Sequence, residues 1–400
     1  MRILHTISQL PGKTGSGIFL QELFRIGKEK GYTQGVLAGI PALGYDIHIE
    51  GLEHFFPVRF NTPLLPFDVV GMSDVMPYPS RTFSSLTPTE IDAYEAAFTE
   101  AIHHAVANFK PDVILGNHLW ILSALVRKLY PHIPFLCLCH GTDLRQGELA
   151  PHLGVHVKPW LRECTQIFAL NEPQKKTIME RFNISDARVS VNGSGYDAAK
   201  FFPTPKPKAP PVKVLYIGKL SNAKGVPSLL RAMERLPFLP HEVTLTCIGG
   251  GSGPETEAIL AHLATTPFHA LGFVSHETLI THLYTSHVFV LPSFYEGLPL
   301  VVLEALASGL RVVCTDLPGL EPFLGPLPKG AMAYVPLPPM ASVDVPKPEG
   351  LDAFEEALAR ALEMNIRAVL VGETLDEKGV QHALLPKSWG GLFERIEAYM

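Results

Sequence analysis

Long apolar runs are missing from this sequence, and none reaches the roughly 20 residues that a membrane-spanning helix needs. Its start, Met1-Arg2-Ile3-Leu4-His5, enters a strand pattern directly, without the apolar stretch and small-residue cleavage site of a secretory leader. Cysteine is sparse too. The five residues Cys137, Cys139, Cys164, Cys247 and Cys314 are odd in number and scattered, which argues against a disulfide framework and for a reducing, cytoplasmic compartment. Cys137 and Cys139 share one strand face, but no second Cys or His pair at metal-site spacing accompanies them, so they read as small buried hydrophobes. Charge of one sign is not in excess either. A net charge of −6 argues against a broad nucleic-acid surface while leaving room for local phosphate sites. No two aspartates stand two positions apart, so the Asp-x-Asp pair with which many transferases hold a divalent cation is absent.

What is present is apolar material for two cores: 400 residues, 46% of them hydrophobic. Short β-branched runs at Ile3–Ile7, Val36–Ile40, Val113–Gly116, Phe135–Cys139 and Ile167–Leu170 alternate with helical stretches such as Ile18–Lys30 and Pro88–Phe109. This rhythm predicts a largely parallel sheet wrapped by helices. Residues 201–211 then carry five prolines, which neither a helix nor a central strand tolerates. The rhythm restarts with Val212–Ile217, Val243–Ile248, His287–Leu291 and Val312–Thr315. The expected architecture is α/β, with two Rossmann-like doubly wound domains whose sheets face a central cleft. Their expected bounds are 1–203, a proline-rich linker over 204–211, and 212–385. Residues 51–87, rich in Phe and Pro, are expected to be loops, and the proline-rich stretch 325–349 has no role legible in its pattern.

The most informative segment is Ser293-Phe294-Tyr295-Glu296-Gly297-Leu298-Pro299-Leu300-Val301-Val302-Leu303-Glu304-Ala305. A strand ends near Leu291, a loop carries Glu296 and Gly297, and a helix opens around Pro299, where a missing N–H costs nothing. The exposed N–H groups and the helix dipole make an anion site suited to a diphosphate. From the residues alone two readings of Glu296, at its mouth, and Glu304, deeper in the helix, stay open: a capping glutamate followed by a surface one, or two carboxylates that accept hydrogen bonds from two sets of sugar hydroxyls on one elongated ligand.

The Glu296–Glu304 spacing in its Glu-Gly-Leu-Pro-Leu context resembles the retaining glycosyltransferases of family 4, which have the GT-B fold. The resemblance implies that Glu296 contacts the donor sugar and Glu304 the nucleotide ribose, with Gly297, Leu298, Pro299 and Leu300 lining the donor site. Other segments match in order along nearly the whole chain. The turn Thr14-Gly15-Ser16-Gly17 implies a donor-diphosphate contact at Gly15 and Ser16; the neighbouring Gly12-Lys13-Thr14 lacks the leading glycine of a P-loop. His140-Gly141-Thr142-Asp143 resembles a motif whose histidine reaches the donor near the reacting centre. Asn117 and His118, at another strand end, and Asp143 are assigned to the acceptor. Asn192-Gly193…Asp197…Phe201…Pro203 resembles a further signature, with an insertion before Asp197.

Gly218-Lys219-Leu220…Lys224-Gly225 resembles the segment that supplies two cations to the diphosphate, with Lys219 in place of the usual arginine. Gly250, in Gly249-Gly250-Gly251-Ser252-Gly253, falls in the family's nucleotide-base region, and residues 386–400 in a helix that returns to the N-terminal domain. The implied reaction is metal-independent, retaining transfer of a hexosyl group from a nucleotide-diphospho-sugar, UDP-sugar favoured, to a hydroxyl acceptor. No cofactor is required, and the nucleotide sugar is a substrate. Lys219, Lys224, the Gly15 turn and the helix N-terminus replace the metal as electrostatic stabilisers. His140, Lys219, Lys224 and Glu296 form the expected catalytic set. Two other readings stay open: a nucleotide-sugar epimerase or hydrolase on the same scaffold, and a silent partner subunit. A homodimer is also open, as is peripheral membrane contact through Phe55, Phe56, Leu64 and Leu65.

Overall fold

The computed structural model describes residues 1–12, 14–73 and 76–400, so Lys13 of the Gly12-Lys13-Thr14 turn lies outside the described residues. The chain divides into two compact units, 1–195 with 389–400, and 196–388.

The first unit runs β1 (Arg2–Ile7), α1 (Gly15–Glu29), β2 (Thr33–Pro41), β3 (His54–Phe60), β4 (Val70–Gly71), β5 (Arg81–Thr82), α2 (Pro88–Phe109), β6 (Val113–Asn117) and α3 (Ile121–Leu129). It continues with β7 (Phe135–Leu138), α4 (Thr142–Leu149), α5 (Gly154–Leu161), β8 (Gln166–Ala169), α6 (Glu172–Phe182) and β9 (Val189–Val191). The helix starts are written locally. Thr87 and Glu90 cap each other at the head of α2, with Pro88 at its first position, and the Asn171 side chain accepts from Gln174 N–H at 2.8 Å to open α6.

Seven strands pair in the order β3-β2-β1-β6-β7-β8-β9, all parallel. Alternate residues feed opposite faces, as the two-residue strand repeat requires. Leu4, Ile114, Phe135 and Cys137 pack with α2 and α3 residues, whereas Ile3, Val113, Leu115, Leu136 and Leu138 pack with Phe19 and Leu23 of α1 and with Trp389, Leu392 and Phe393. The last helix therefore belongs to the core of this unit. Arg395 secures it through Nε to Asn192 Oδ1 at 2.7 Å, and Lys30 pairs with Glu397 at 2.6 Å. Burial on both faces explains the near-continuous apolar runs.

The second unit contains β10 (Val212–Ile217), α7 (Val226–Glu234), β11 (Val243–Ile248), α8 (Pro254–Ala264), β12 (His269–Ala270), α9 (His276–Thr285) and β13 (Val288–Leu291). Then follow α10 (Leu300–Ala307), β14 (Arg311–Thr315), α11 (Leu320–Leu324), β15 (Met332–Val335), α12 (Leu351–Leu370) and α13 (Glu377–Leu384); the last helix, α14 (Trp389–Glu397), is the one that joins the first unit. Six parallel strands pair as β12-β11-β10-β13-β14-β15. Strand order reverses between β1 and β6 in one sheet and between β10 and β13 in the other. These switch points open a crevice at the carboxyl ends of the strands, where ligands of such sheets bind.

One expectation is corrected. Residues 51–87 are not all loop, since His54–Phe60 forms β3, with Pro57 opposite Ala38. An edge strand tolerates proline because only one of its sides is hydrogen-bonded. Met332–Val335, within the proline-rich 325–349 stretch, likewise forms an edge strand on β14. The 204–211 run is strapped onto the second unit. Lys206 Nζ donates to the carbonyls of Leu283, Tyr284 and Ser308 at 3.1, 3.2 and 2.7 Å. All five cysteines are buried and unpaired. Among the described residues no helix is long and apolar enough to cross a membrane.

Candidate active site

In the second unit, the loops that leave β10, β11 and β12 are zipped together by backbone bonds. Gly218 N donates to Ile248 O at 3.0 Å, Leu220 N to Gly250 O at 3.0 Å, and Gly249 N to Gly272 O at 2.8 Å. Gly249 has φ +123, and a Cβ there would run into the Gly218 carbonyl, so only glycine lets these loops approach. The strand ends frame a cavity of about 580 Å³ lined by Gly218, Lys219, Gly250, Ser252, Phe273 and Leu279. Lys219 is exposed, while its carbonyl accepts from the buried Tyr216 hydroxyl at 2.8 Å.

On the other side of the switch point, β13 leads into the Ser293–Pro299 loop and α10. Glu296 is held from two sides: Lys224 Nζ lies 2.7 Å from Oε2, and Ser293 Oγ donates to Oε1 at 2.8 Å. Lys224 reaches it because Gly225, at φ +66, turns the chain tightly against the Pro292 carbonyl before α7 begins. Gly297 is exposed, and nothing lies within 4 Å of where a Cβ would stand. Pro299 is the N-cap residue of α10, so Leu300 opens a helix whose first N–H groups face the loop. Leu298 and Leu300 are half-buried beside it. One turn further, Glu304 is half-buried, and burial pushes its carboxyl up to about 7.

In the first unit, α1 starts at an exposed Gly15 with open space beside it, and Thr14 caps the helix by accepting from Gly17 N at 3.1 Å. Ser16 is buried, its hydroxyl accepting from Gln9 Nε2 at 3.1 Å. At the ends of β6 and β7 lies a sealed polar cluster. Asn117, His118 and Asp143 are 2%, 3% and 1% exposed. Asp143 accepts from Leu119 N at 2.8 Å and from His140 N at 3.1 Å. Burial alone would raise its carboxyl; the His118 and His140 rings and these N–H donors outweigh it and hold it at about 2.

His118 adopts φ +75, unusual for a residue with a Cβ. Its carbonyl accepts from Ser123 Oγ at 2.5 Å, and its Nδ1 stands 3.7 Å from Asp143 Oδ1, beyond hydrogen-bond reach. His140 is more open. Its Nε2 lies 3.0 Å from Asn117 Oδ1, its ring meets Phe19 edge-on at 5.1 Å, and burial followed by the neighbouring His118 lowers its pKa to about 3. The structure thus brings Glu296 to Lys224, and His140 to Asn117, His118 and Asp143. It seats Asp143 at the strand ends as a brace, with both oxygens taken by protein N–H groups.

Two residues escaped the sequence reading. Ser293 orients Glu296, and its place three residues earlier in the same loop is the only hint. Phe273 is 84% exposed on the cavity lining, and an aromatic between Gly272 and Val274 looks in sequence like a core residue.

Residues 211–332 match the family model described as glycosyl transferases group 1. A glycogen synthase of Mycobacterium tuberculosis is 30% identical over 224 residues, 53% of this chain and 54% of that protein, so the match spans about half its length. Among solved structures, a lipopolysaccharide outer-core galactosyltransferase in its apo form superimposes with a TM-score of 0.66 at 15% identity, covering 100% of this chain and 99% of the other. Anabaena HepE in complex with UDP and glucose gives 0.63 at 15% identity, covering 100% and 98%. The fold is therefore GT-B, and the family match puts a group 1 glycosyl transferase domain in its second unit.

Proposed function

We propose that this chain is a retaining glycosyltransferase that moves a hexosyl group from a nucleotide-diphospho-sugar, UDP-sugar favoured, to a hydroxyl acceptor without a metal. The observation that carries the reading is the β13–α10 junction. Glu296 and the α10 N-terminus follow β13 and Lys224 follows β10, the two strands that flank the switch point, and the Lys224–Glu296 pair joins them; the loops after β10 and β11 line the cavity. A departing nucleoside diphosphate needs its negative charge stabilised. Lys224, Lys219 and the first N–H groups of α10 supply fixed positive potential there, each worth a few kcal/mol once water is excluded (about 3–4 in comparable sites).

Glu296, oriented by Ser293, accepts hydroxyls of the donor sugar, and Glu304 accepts those of the ribose. Gly15 and Ser16 offer the N–H groups of α1 to the diphosphate, and His140 meets the sugar near the reacting carbon. In the proposed route the acceptor attacks from the face that the nucleotide leaves, and the leaving phosphate takes the acceptor proton. That Anabaena HepE was captured with UDP supports UDP as the first nucleotide to test.

Calorimetry with UDP, GDP and ADP, first without and then with magnesium, tests the reading. Metal-independent binding of one nucleotide, followed by NMR detection of transfer from its sugar with the anomeric configuration kept, is the expected result. Folded protein that binds none of them overturns it.

A further inference from the structure

Three contacts in the first unit fix the protonation of one ring. Asn117 Nδ2 donates to the Thr6 carbonyl at 3.4 Å, so Oδ1 is the amide atom facing His140. Flipping the amide would set two acceptors against each other at Thr6. Oδ1 lies 3.0 Å from His140 Nε2, and an amide oxygen only accepts, so Nε2 carries the hydrogen. Burial and the facing His118 hold the ring neutral, with Asp143 pulling weakly the other way. A neutral ring protonated at Nε2 has a bare lone pair on Nδ1. That atom takes no hydrogen bond from the described residues and is not among the sealed, unpartnered atoms. Phe19 at 5.1 Å and His118 at 4.8 Å hold the ring plane.

We infer that Asn117 is a positioning residue that locks His140 as its Nε2–H tautomer, so that Nδ1 selects a sugar presenting a hydroxyl and rejects one presenting a carboxylate. A hydroxyl donates to Nδ1. A carboxylate brings a second acceptor and stays unpaired after losing its water, which is a selection by mismatch. The identity of the ligand rests on the glycosyl-transfer reading above; the lock on the ring does not.

The test begins with the full chain carrying 15N-labelled histidine. The His140 signals are assigned by their loss in His140→Gln, and the tautomer is read from the Nδ1 and Nε2 shifts at neutral pH. Nε2–H is expected in the natural protein, and a mixture of tautomers in Asn117→Ala. An Nδ1–H or doubly protonated ring in the natural protein overturns the inference, as does an unchanged tautomer in Asn117→Ala. Should that variant not fold, the natural protein's spectrum decides.

Calorimetry with UDP-glucose and UDP-glucuronate reads the selection. The hexose is expected to bind about tenfold tighter or more, one lost hydrogen bond to a desolvated group, and the preference to collapse in Asn117→Ala. Equal affinities in the natural protein overturn the selection. Failure of both ligands removes UDP-sugars as the donor and with them this selection, while the ring spectrum still decides the role of Asn117.

Discussion

At the strand ends of the first unit the polar groups are sealed away: Asn117, His118 and Asp143 are at most 3% exposed, and Asp143 spends its oxygens on protein N–H groups. At those of the second unit the charged groups reach solvent. Lys219 is exposed, Lys224 and Glu296 keep 27% and 19% of their side-chain surface, and an open cavity lies alongside. The first arrangement spends charge internally to hold neutral groups in place, which suits recognition of uncharged hydroxyls. The second keeps cations and backbone N–H groups available for an anion, and its electrostatics strengthen only when a ligand displaces water. Removing a charge on the two sides should therefore fail differently, the second unit losing ligand and turnover, the first losing stability.

The largest effect is expected at Lys224. Lys224→Ala removes the cation proposed to face the diphosphate and leaves Glu296 with Ser293 as its only partner among the bonds described, so turnover should fall about 100- to 1,000-fold with weakened nucleotide binding. Thermal unfolding should hardly change, because the pair is part-exposed and contributes little to folding. Turnover within a few-fold of normal would break the contrast at its strongest point.

Asp143→Asn is the converse. It places an amide where two backbone N–H groups need an acceptor and should cost about 2–4 kcal/mol in denaturant unfolding. Because the folded carboxyl titrates at about 2, below its ordinary value, its stabilising share is complete above the unfolded pKa and is lost as pH falls towards 2. The acid limb of the stability curve, below about pH 4, should flatten in the variant. An unchanged unfolding midpoint would show that the brace is dispensable.

Glu304 sharpens the comparison from the other side, since burial raises its carboxyl to about 7 where Asp143 is lowered. An ionised Glu304 accepts ribose hydroxyls better than a protonated one, so nucleotide affinity should rise by up to about tenfold between pH 6 and 8. Glu304→Gln should abolish that slope in calorimetry. Folding stability runs opposite, because the folded state holds this proton more tightly; that share is complete below the unfolded pKa and lost as pH rises through about 7. A nucleotide slope that survives in the glutamine variant removes Glu304 from the site.

The contrast was only partly legible in the sequence. Parallel sheets announce themselves, because burial on both faces writes runs such as Val212–Ile217 and Val113–Gly116, and the strand-loop-helix at Ser293–Glu304 carries its own turn chemistry. The edge strands did not show, since half of their surroundings are solvent and Pro57 reads as a breaker. The bracing contacts of Asp143 did not show for a related reason. A carboxylate two residues past a glycine looks like a surface ligand, and nothing local tells that the Leu119 and His140 N–H groups, from two separate strand ends, will close on it. Partners distant in the chain are what sequence spacing conveys least.

Lys219 gives the smallest and most selective prediction. Its backbone is fixed by Tyr216 hydroxyl donation to its carbonyl at 2.8 Å, and Leu220 N to Gly250 O at 3.0 Å pins the next residue. Its side chain stands in solvent, so Lys219→Arg changes only the shape of the cation and leaves the loop in place. A guanidinium grips two phosphate oxygens where an ammonium offers a point charge, so nucleotide-diphosphate affinity should tighten about threefold, with the monophosphate unaffected. Equal tightening for both nucleotides would mean that the cation acts through the general field of the cavity and not on the terminal phosphate. Weakening would mean that the lysine's compactness is itself selected, and that the second unit's openness at this loop is tuned for the shape of its ligand as well as for its charge.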